Sequence, residues 1–213
     1  MKRMWKWALV LVAVLCSCSL VLAQEATADK KASGGNDQMG AMMTKPAAEM
    51  QKLIKTFAGT WNTSETFEKS EMMPEGGTGH GTSTFKAGPG GLSLIQDYKS
   101  RSKMGTFAGH GVTWWDAGAQ GYKSVWCDSM AAKCEVANGM GQWNGNDLVF
   151  NDEQDINGKK QQTKMVDTNI TPRSYTMTMD AGSQGEMKRF MTVNLTKVGG
   201  SSASATKKPS GKE

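Results

Sequence analysis

From residue 59 to residue 198, apolar and polar positions alternate at period two, and the alternation is broken at near-regular intervals by turn residues. The pattern predicts about ten strands, over 60–68, 79–86, 92–102, 106–116, 122–128, 133–143, 147–154, 161–170, 174–180 and 187–197. The breaks between them are Gly88-Pro89-Gly90-Gly91, Asn144-Gly145-Asn146, Asn157-Gly158, Pro172 and Asp180-Ala181-Gly182. Asn-Gly is the commonest two-residue hairpin signal, because a type I′ turn needs positive φ at both central residues. Short strands joined by tight turns make an antiparallel meander, and closing it into a barrel removes its edges.

One segment keeps a different period. Met50, Leu53, Ile54 and Phe57 recur at i, i+3, i+4 and i+7, the stripe of an amphipathic helix, and Pro46 suits its first turn. Gly59 fits the left-handed position just past a helix end. Beyond it Trp61, Thr63, Glu65 and Phe67 share one face of a strand, while Thr60, Asn62, Ser64 and Thr66 share the other. The helix is expected to pack its stripe on the barrel or to cap one end.

The triplet Gly59-Thr60-Trp61 resembles the opening of calycin barrels, which include lipocalins, fatty-acid-binding proteins and nitrobindins. In those the Trp plugs a barrel end. Residues 45–198 as a whole resemble a bacterial exported family, domain of unknown function 1579, itself lipocalin-like. The residues that carry this are Lys45-Pro46, Leu53, Gly59-Thr60-Trp61, Gly90-Gly91, Phe107-Ala108-Gly109-His110-Gly111, Trp126-Cys127-Asp128-Ser129-Met130 and Tyr175-Thr176-Met177-Thr178-Met179-Asp180. The chain departs from the family pattern at Trp114-Trp115-Asp116, where Gly-Tyr-Asp is usual, and at Cys127. The resemblance implies a ten-strand barrel with an internal cavity and implies no reaction. The fold class expected is therefore all-β, an antiparallel meander closed into a calycin-like barrel with one N-terminal capping helix.

Composition adds a compartment. Lys2, Arg3 and Lys6, the apolar run 8–15 and Val21-Leu22-Ala23 read as a secretory signal over residues 1–23. That run is too short to span a membrane. The alternative, lipid attachment at Cys18, is disfavoured by the apolar Leu20-Val21-Leu22 that follows. The expectation is an exported protein, periplasmic or extracellular, with a polar linker over 24–44, a barrel domain over 45–198 and a tail over 199–213. Removing the signal lowers the net charge of +5 to +2, and no stretch combines clustered Lys or Arg with aromatics. Nucleic acid is therefore not an expected partner. Cys127 and Cys134 remain, an even pair in an oxidising compartment. A four-residue turn over 129–132 would set them directly opposite each other, within the reach of a disulfide.

Candidate chemistry is sparse. His80 and His110 are the chain's two histidines, each flanked by glycines. Either could point into the barrel and bind haem or a metal. The haem His of a nitrobindin-like barrel sits late in the chain, however, where this sequence has none, and two His without a Cys or carboxylate cluster make a poor zinc site. An ordinary strand histidine is the preferred reading, and neither metal nor cofactor is expected. Met39, Met42 and Met43 could hold copper(I), but read more simply as low complexity. Met177, Met179, Met187 and Met191 fall at period two on strands and fit an adaptable cavity wall. Asp116, Asp128, Asp152, Glu153 and Asp155 show no spacing that argues acid–base catalysis, and Asp128 reads as a turn cap.

The resulting expectation is non-enzymatic binding of a small apolar ligand inside the barrel. The candidate lining is Trp61, Phe85, Tyr98, His110, Trp114, Trp126, Met177, Met179, Met191 and Val193, with His110 and Tyr98 as orienting polar groups. Strand parity is not fixed by sequence, so any strand's set can be flipped by one residue. The alternatives are an isomerase or hydrolase working at the barrel mouth and a structural envelope protein with a filled interior.

Overall fold

The structure, a computed structural model, describes residues 44–70, 73–156, 159–183 and 185–199. The expected signal, the linker with Met39, Met42 and Met43, the Asn157-Gly158 turn and the tail beyond residue 199 lie outside the described residues. The one α-helix among them is α1, Ala48–Phe57. The strands are β1 Gly59–Phe67, β2 Gly77–Ala87, β3 Ser93–Ser102, β4 Gly105–Asp116, β5 Gly121–Asp128, β6 Glu135–Val136, β7 Met140–Asn144, β8 Asp147–Ile156, β9 Lys159–Thr168, β10 Ser174–Gly182 and β11 Lys188–Lys197. No helix among the described residues is long and apolar enough to cross a membrane.

The strands pair antiparallel in the order β4-β3-β2-β1-β11-β10-β9-β8-β7-β5, and a β4–β5 ladder closes the ring into a ten-stranded barrel. β6 is an extra strand on the edge of β5. Nine of the predicted strands appear with shifted ends; the tenth, 133–143, is split into β6 and β7. Two registers compete for that segment. β6 continues the β5 ladder, with Val125 opposite Val136 and Trp126 opposite Glu135. β7 pairs along its whole length with β8 and is ladder-paired with β5 only at Tyr122 and Gly141. The break is held open by hydrogen bonds: the Gly139 amide donates to Asp152 Oδ1, and Lys123 Nζ donates to the carbonyls of Asn138 and Gly139.

The β5–β6 register places Cys127 opposite Cys134, and a disulfide joins them across a Cα separation of 4.2 Å. The β7–β8 hairpin turns through Gly145 and Asn146, of which only Gly145 has positive φ. This differs from the Asn-Gly turn expected, because Asn144 is still a paired strand residue facing Asp147.

The helix stripe closes one end of the barrel. Met50, Leu53 and Phe57 are buried, and they join Trp61, Leu94, Tyr122, Leu148, Tyr175, Val193 and Leu195 in a single core. Phe57 and Trp61 both meet the Tyr175 ring edge-on, at 5.1 and 4.9 Å between centroids. Two hydrogen bonds fasten the helix: Trp61 Nε1 donates to the Phe57 carbonyl at 2.8 Å, and Tyr122 Oη donates to the Glu49 carbonyl at 2.8 Å. The first satisfies a carbonyl of the last helical turn that has no partner within the helix. The chain leaves α1 through Ala58 in an extended conformation, not through a left-handed cap. Gly59 then opens β1 at φ 131°, and a Cβ there would lie 2.7 Å from Lys197 Cε. Only glycine meets both conditions.

Leu53 is 1 % exposed at the centre of this plug. Leu53→Ala should therefore lower unfolding free energy by about 2–5 kcal/mol in chemical denaturation. A loss below about 0.5 kcal/mol, the level of an exposed site, would show the helix to be peripheral.

Candidate functional site

Register settles which face each side chain takes. Trp61, Thr63, Glu65 and Phe67 stand directly across from Lys197, Leu195, Val193 and Met191. Those in turn oppose Tyr175, Met177 and Met179 on β10, which face Asp167 and Met165 on β9. This continuous set, anchored by the sealed Trp61 and Val193, is the barrel interior. Of the ten candidate lining residues, Trp61, Phe85, Tyr98, Trp126, Met177, Met179, Met191 and Val193 lie on it. Trp61 and Phe85 belong to the plugged end, where Phe85 packs 6.0 Å from Phe57 between ring centroids.

The other two lie outside. His110 stands on the outer face of β4, half exposed, with Nδ1 2.7 Å from Asp97 Oδ1. The His110 hydrogen bond, reinforced by Lys86, holds the Asp97 carboxyl below its usual range. His110 therefore cannot orient a ligand within the barrel. Trp114 also faces outward, opposite Lys123 and Ser93, and Trp115 takes the inward place, its ring edge 5.1 Å from Tyr122. The Trp-Trp pair gave no sequence signal of which ring turns in. Met187 precedes β11 and is exposed, because the β10–β11 register shifts between Met179 and Asp180. His80 is exposed on the outer face of β2. A haem inside the barrel would thus find no imidazole.

The interior also holds polar groups that the sequence reading did not single out. Glu65 is 1 % exposed. Its Oε1 accepts hydrogen bonds from Tyr98 Oη at 2.5 Å and from Thr63 Oγ1 at 3.1 Å. Its Oε2 is buried without a partner, lying over Gly79, where any Cβ would collide with it. Asp167 is 7 % exposed, and burial alone pushes its pKa up to about 7. Burial raises the Tyr175 phenol well above its usual value, and Asp167 and Tyr98 add to the shift. Burial, then Glu65, raises the Tyr98 phenol likewise. Two carboxyls and two phenols therefore gather just above the plug. The available signal was parity alone: Glu65 shares its strand face with Trp61 and Thr63.

Beyond this cluster the inward-facing side chains are less enclosed. Tyr98, Phe107, Trp126, Phe150, Met165, Met177, Met179 and Met191 point inward yet are only part-buried. Trp126 lies flat over Gly109 and Gly111, since a Cβ at either would run into its ring, and its Nε1 donates to Asp128 Oδ2 at 3.0 Å. Asp128 Oδ1 meanwhile accepts from the amides of Met130 and Ala131, the turn cap expected of it. Two shallow depressions of about 620 and 570 Å³ run along β7–β9 and include none of the ten candidates.

The Asp167 shift has a thermodynamic sign. Between its ordinary value of 3.8 and about 7, the folded carboxyl keeps a proton that the unfolded chain has lost. Its contribution is fully present below pH 4 and is lost as pH rises through 7, a change of roughly 3–4 kcal/mol. Asp167→Asn should thus gain stability over the parent by about that amount between pH 4 and pH 8. Denaturation curves that stay parallel across this range would contradict the assignment.

One solved structure of similar fold agrees with this architecture. A mycobacterial protein, Rv2717c from M. tuberculosis, is similar in structure at a TM-score of 0.51 and 12% identity, with 72% of this chain and 99% of that one covered. An S-type phycobiliprotein lyase, CPES from Guillardia theta, is similar at a TM-score of 0.47 and 8% identity, covering 76% and 97%. A de novo designed fluorescence-activating β-barrel follows at 0.37 and 12%, covering 67% and 94%. No curated protein matches the chain. Residues 45–197 match the family described as Protein of unknown function (DUF1579), and the chain belongs to that family.

Proposed function

We propose that this protein is exported and binds a small, largely apolar ligand, without catalysis, in the open half of its barrel. One observation carries the reading. The helix end holds a packed core with its partly buried neighbours, whereas Tyr98, Phe107, Trp126, Met165 and Met179 point inward, stand outside that packed cluster and keep part of their surface. A filled structural barrel would bury both sets alike. The open set consists mainly of aromatics and methionines, the side chains that line ligand pockets and adapt to varied apolar shapes. Export is supported by the basic and apolar start of the chain and by the Cys127–Cys134 disulfide, a bond that persists in oxidising compartments.

The reading is tested by titrating the purified barrel with N-phenyl-1-naphthylamine, a neutral apolar fluorophore, while following probe and Trp emission. Saturable binding that Met179→Asp weakens is expected, since that change places a charge in the apolar wall. No saturable signal, or binding indifferent to that change, would remove the interior as the site.

A further inference from the structure

Glu65, Val193, Met177 and Asp167 form one cross-strand row over β1, β11, β10 and β9. The two carboxyls stand at its ends, on strands whose backbones are about 14 Å apart along the curved wall. Glu65 Oε2 has no partner, and no hydrogen bond or ion pair reaches the Asp167 carboxyl among the described residues. The remaining polar neighbours, Tyr98, Thr63 and Tyr175, are neutral.

Among the described side chains, no cation answers this charge from inside. The basic groups among them on inward strand positions are Lys197 and Lys188. Lys197 lies at the plugged end, with Nζ 4.9 Å from the centre of the Trp61 ring. Lys188 stands exposed at the rim, opposite Ala181. An unpaired buried carboxylate costs several kcal/mol, and a complementary charge brought by a ligand recovers that cost. A ligand headed by a carboxylate would add a third negative charge to the same space.

We infer that the barrel interior selects a protonated amine, whose ammonium group docks on Glu65 Oε2, with Asp167 as a second carboxyl on the same row, while its apolar remainder lies against the methionine and aromatic wall. This rests on the interior-binding reading and adds the charge of the ligand to it. The Glu65 carboxyl is held in place by Tyr98 and Thr63 through Oε1, which leaves Oε2 as the acceptor. Asp167, at the other end of the row, supplies the second negative charge. Met177 lies between them, so the stem of the ligand leaves the charged floor directly onto thioether surface.

The test is a matched head-group series at pH 8: dodecylamine, dodecanol and dodecanoate, each displacing N-phenyl-1-naphthylamine from the parent and from a Glu65→Gln/Asp167→Asn double variant. The parent should bind dodecylamine at least about tenfold more tightly than dodecanol, the scale of one charge-assisted contact, and dodecanoate most weakly. The double variant should lose the amine preference and keep its dodecanol affinity within about threefold. Should the double variant not fold, Asp167→Asn alone must cut the amine preference at least about threefold. Equal affinity for amine and alcohol in the parent, or a preference that survives the substitutions, overturns the inference and leaves interior binding standing. Failure of the fluorophore and all three dodecyl compounds to bind overturns both.

Discussion

The hydrogen bond from the Trp61 indole to the Phe57 carbonyl is the joint on which the architecture depends. A helix end buried against a sheet leaves carbonyls that water cannot reach. The indole supplies the missing donor and carries its own ring into the same space, where it is 0 % exposed. One side chain thereby ends the helix, begins the first strand and plugs the barrel. Gly59 makes the geometry possible, and the Lys197 stem closes over the junction from the last strand. First strand, last strand and helix are thus fixed against one another at a single point.

That joint divides the barrel into two ends of different character. Near the helix, aromatic rings fill the lumen, and polar atoms that enter find partners, as Tyr122 Oη does with the Glu49 carbonyl and Trp143 Nε1. Above it, a ten-stranded ring is wider than the eight strands whose interior side chains just fill. Here the chain places glycines, methionines and two carboxyls, of which Glu65 keeps one oxygen without a partner. An unpaired buried carboxyl destabilises the protein, so the sequence gives up stability at the one level where a ligand could recover it. The β5–β7 seam carries a single ladder pair, Tyr122 with Gly141.

Much of this was legible in the residues. The stripe of Met50, Leu53 and Phe57, the Gly59-x-Trp61 junction and the strand alternation depend on short-range geometry, which a sequence records directly. The Cys127–Cys134 spacing fixed a register because a hairpin of that length has few solutions. Parity was less accessible. His110 and Trp114 lie one residue from inward positions, and only the barrel register tells Trp114 from Trp115. The split of 133–143 arises from two partners competing for one segment, a long-range effect. Glu65 and Asp167 read as ordinary strand carboxyls until the register sets both on the inner wall.

The central claim is that small molecules reach the interior of the open half. Selective ε-methyl labelling of the methionines allows each to be followed by NMR in the presence of a soluble, neutral paramagnetic agent. Met177, Met179 and Met191 should broaden strongly, while Met50, 2 % exposed under the helix, should stay sharp. Protection of all three at the level of Met50 would show a filled barrel and contradict the account.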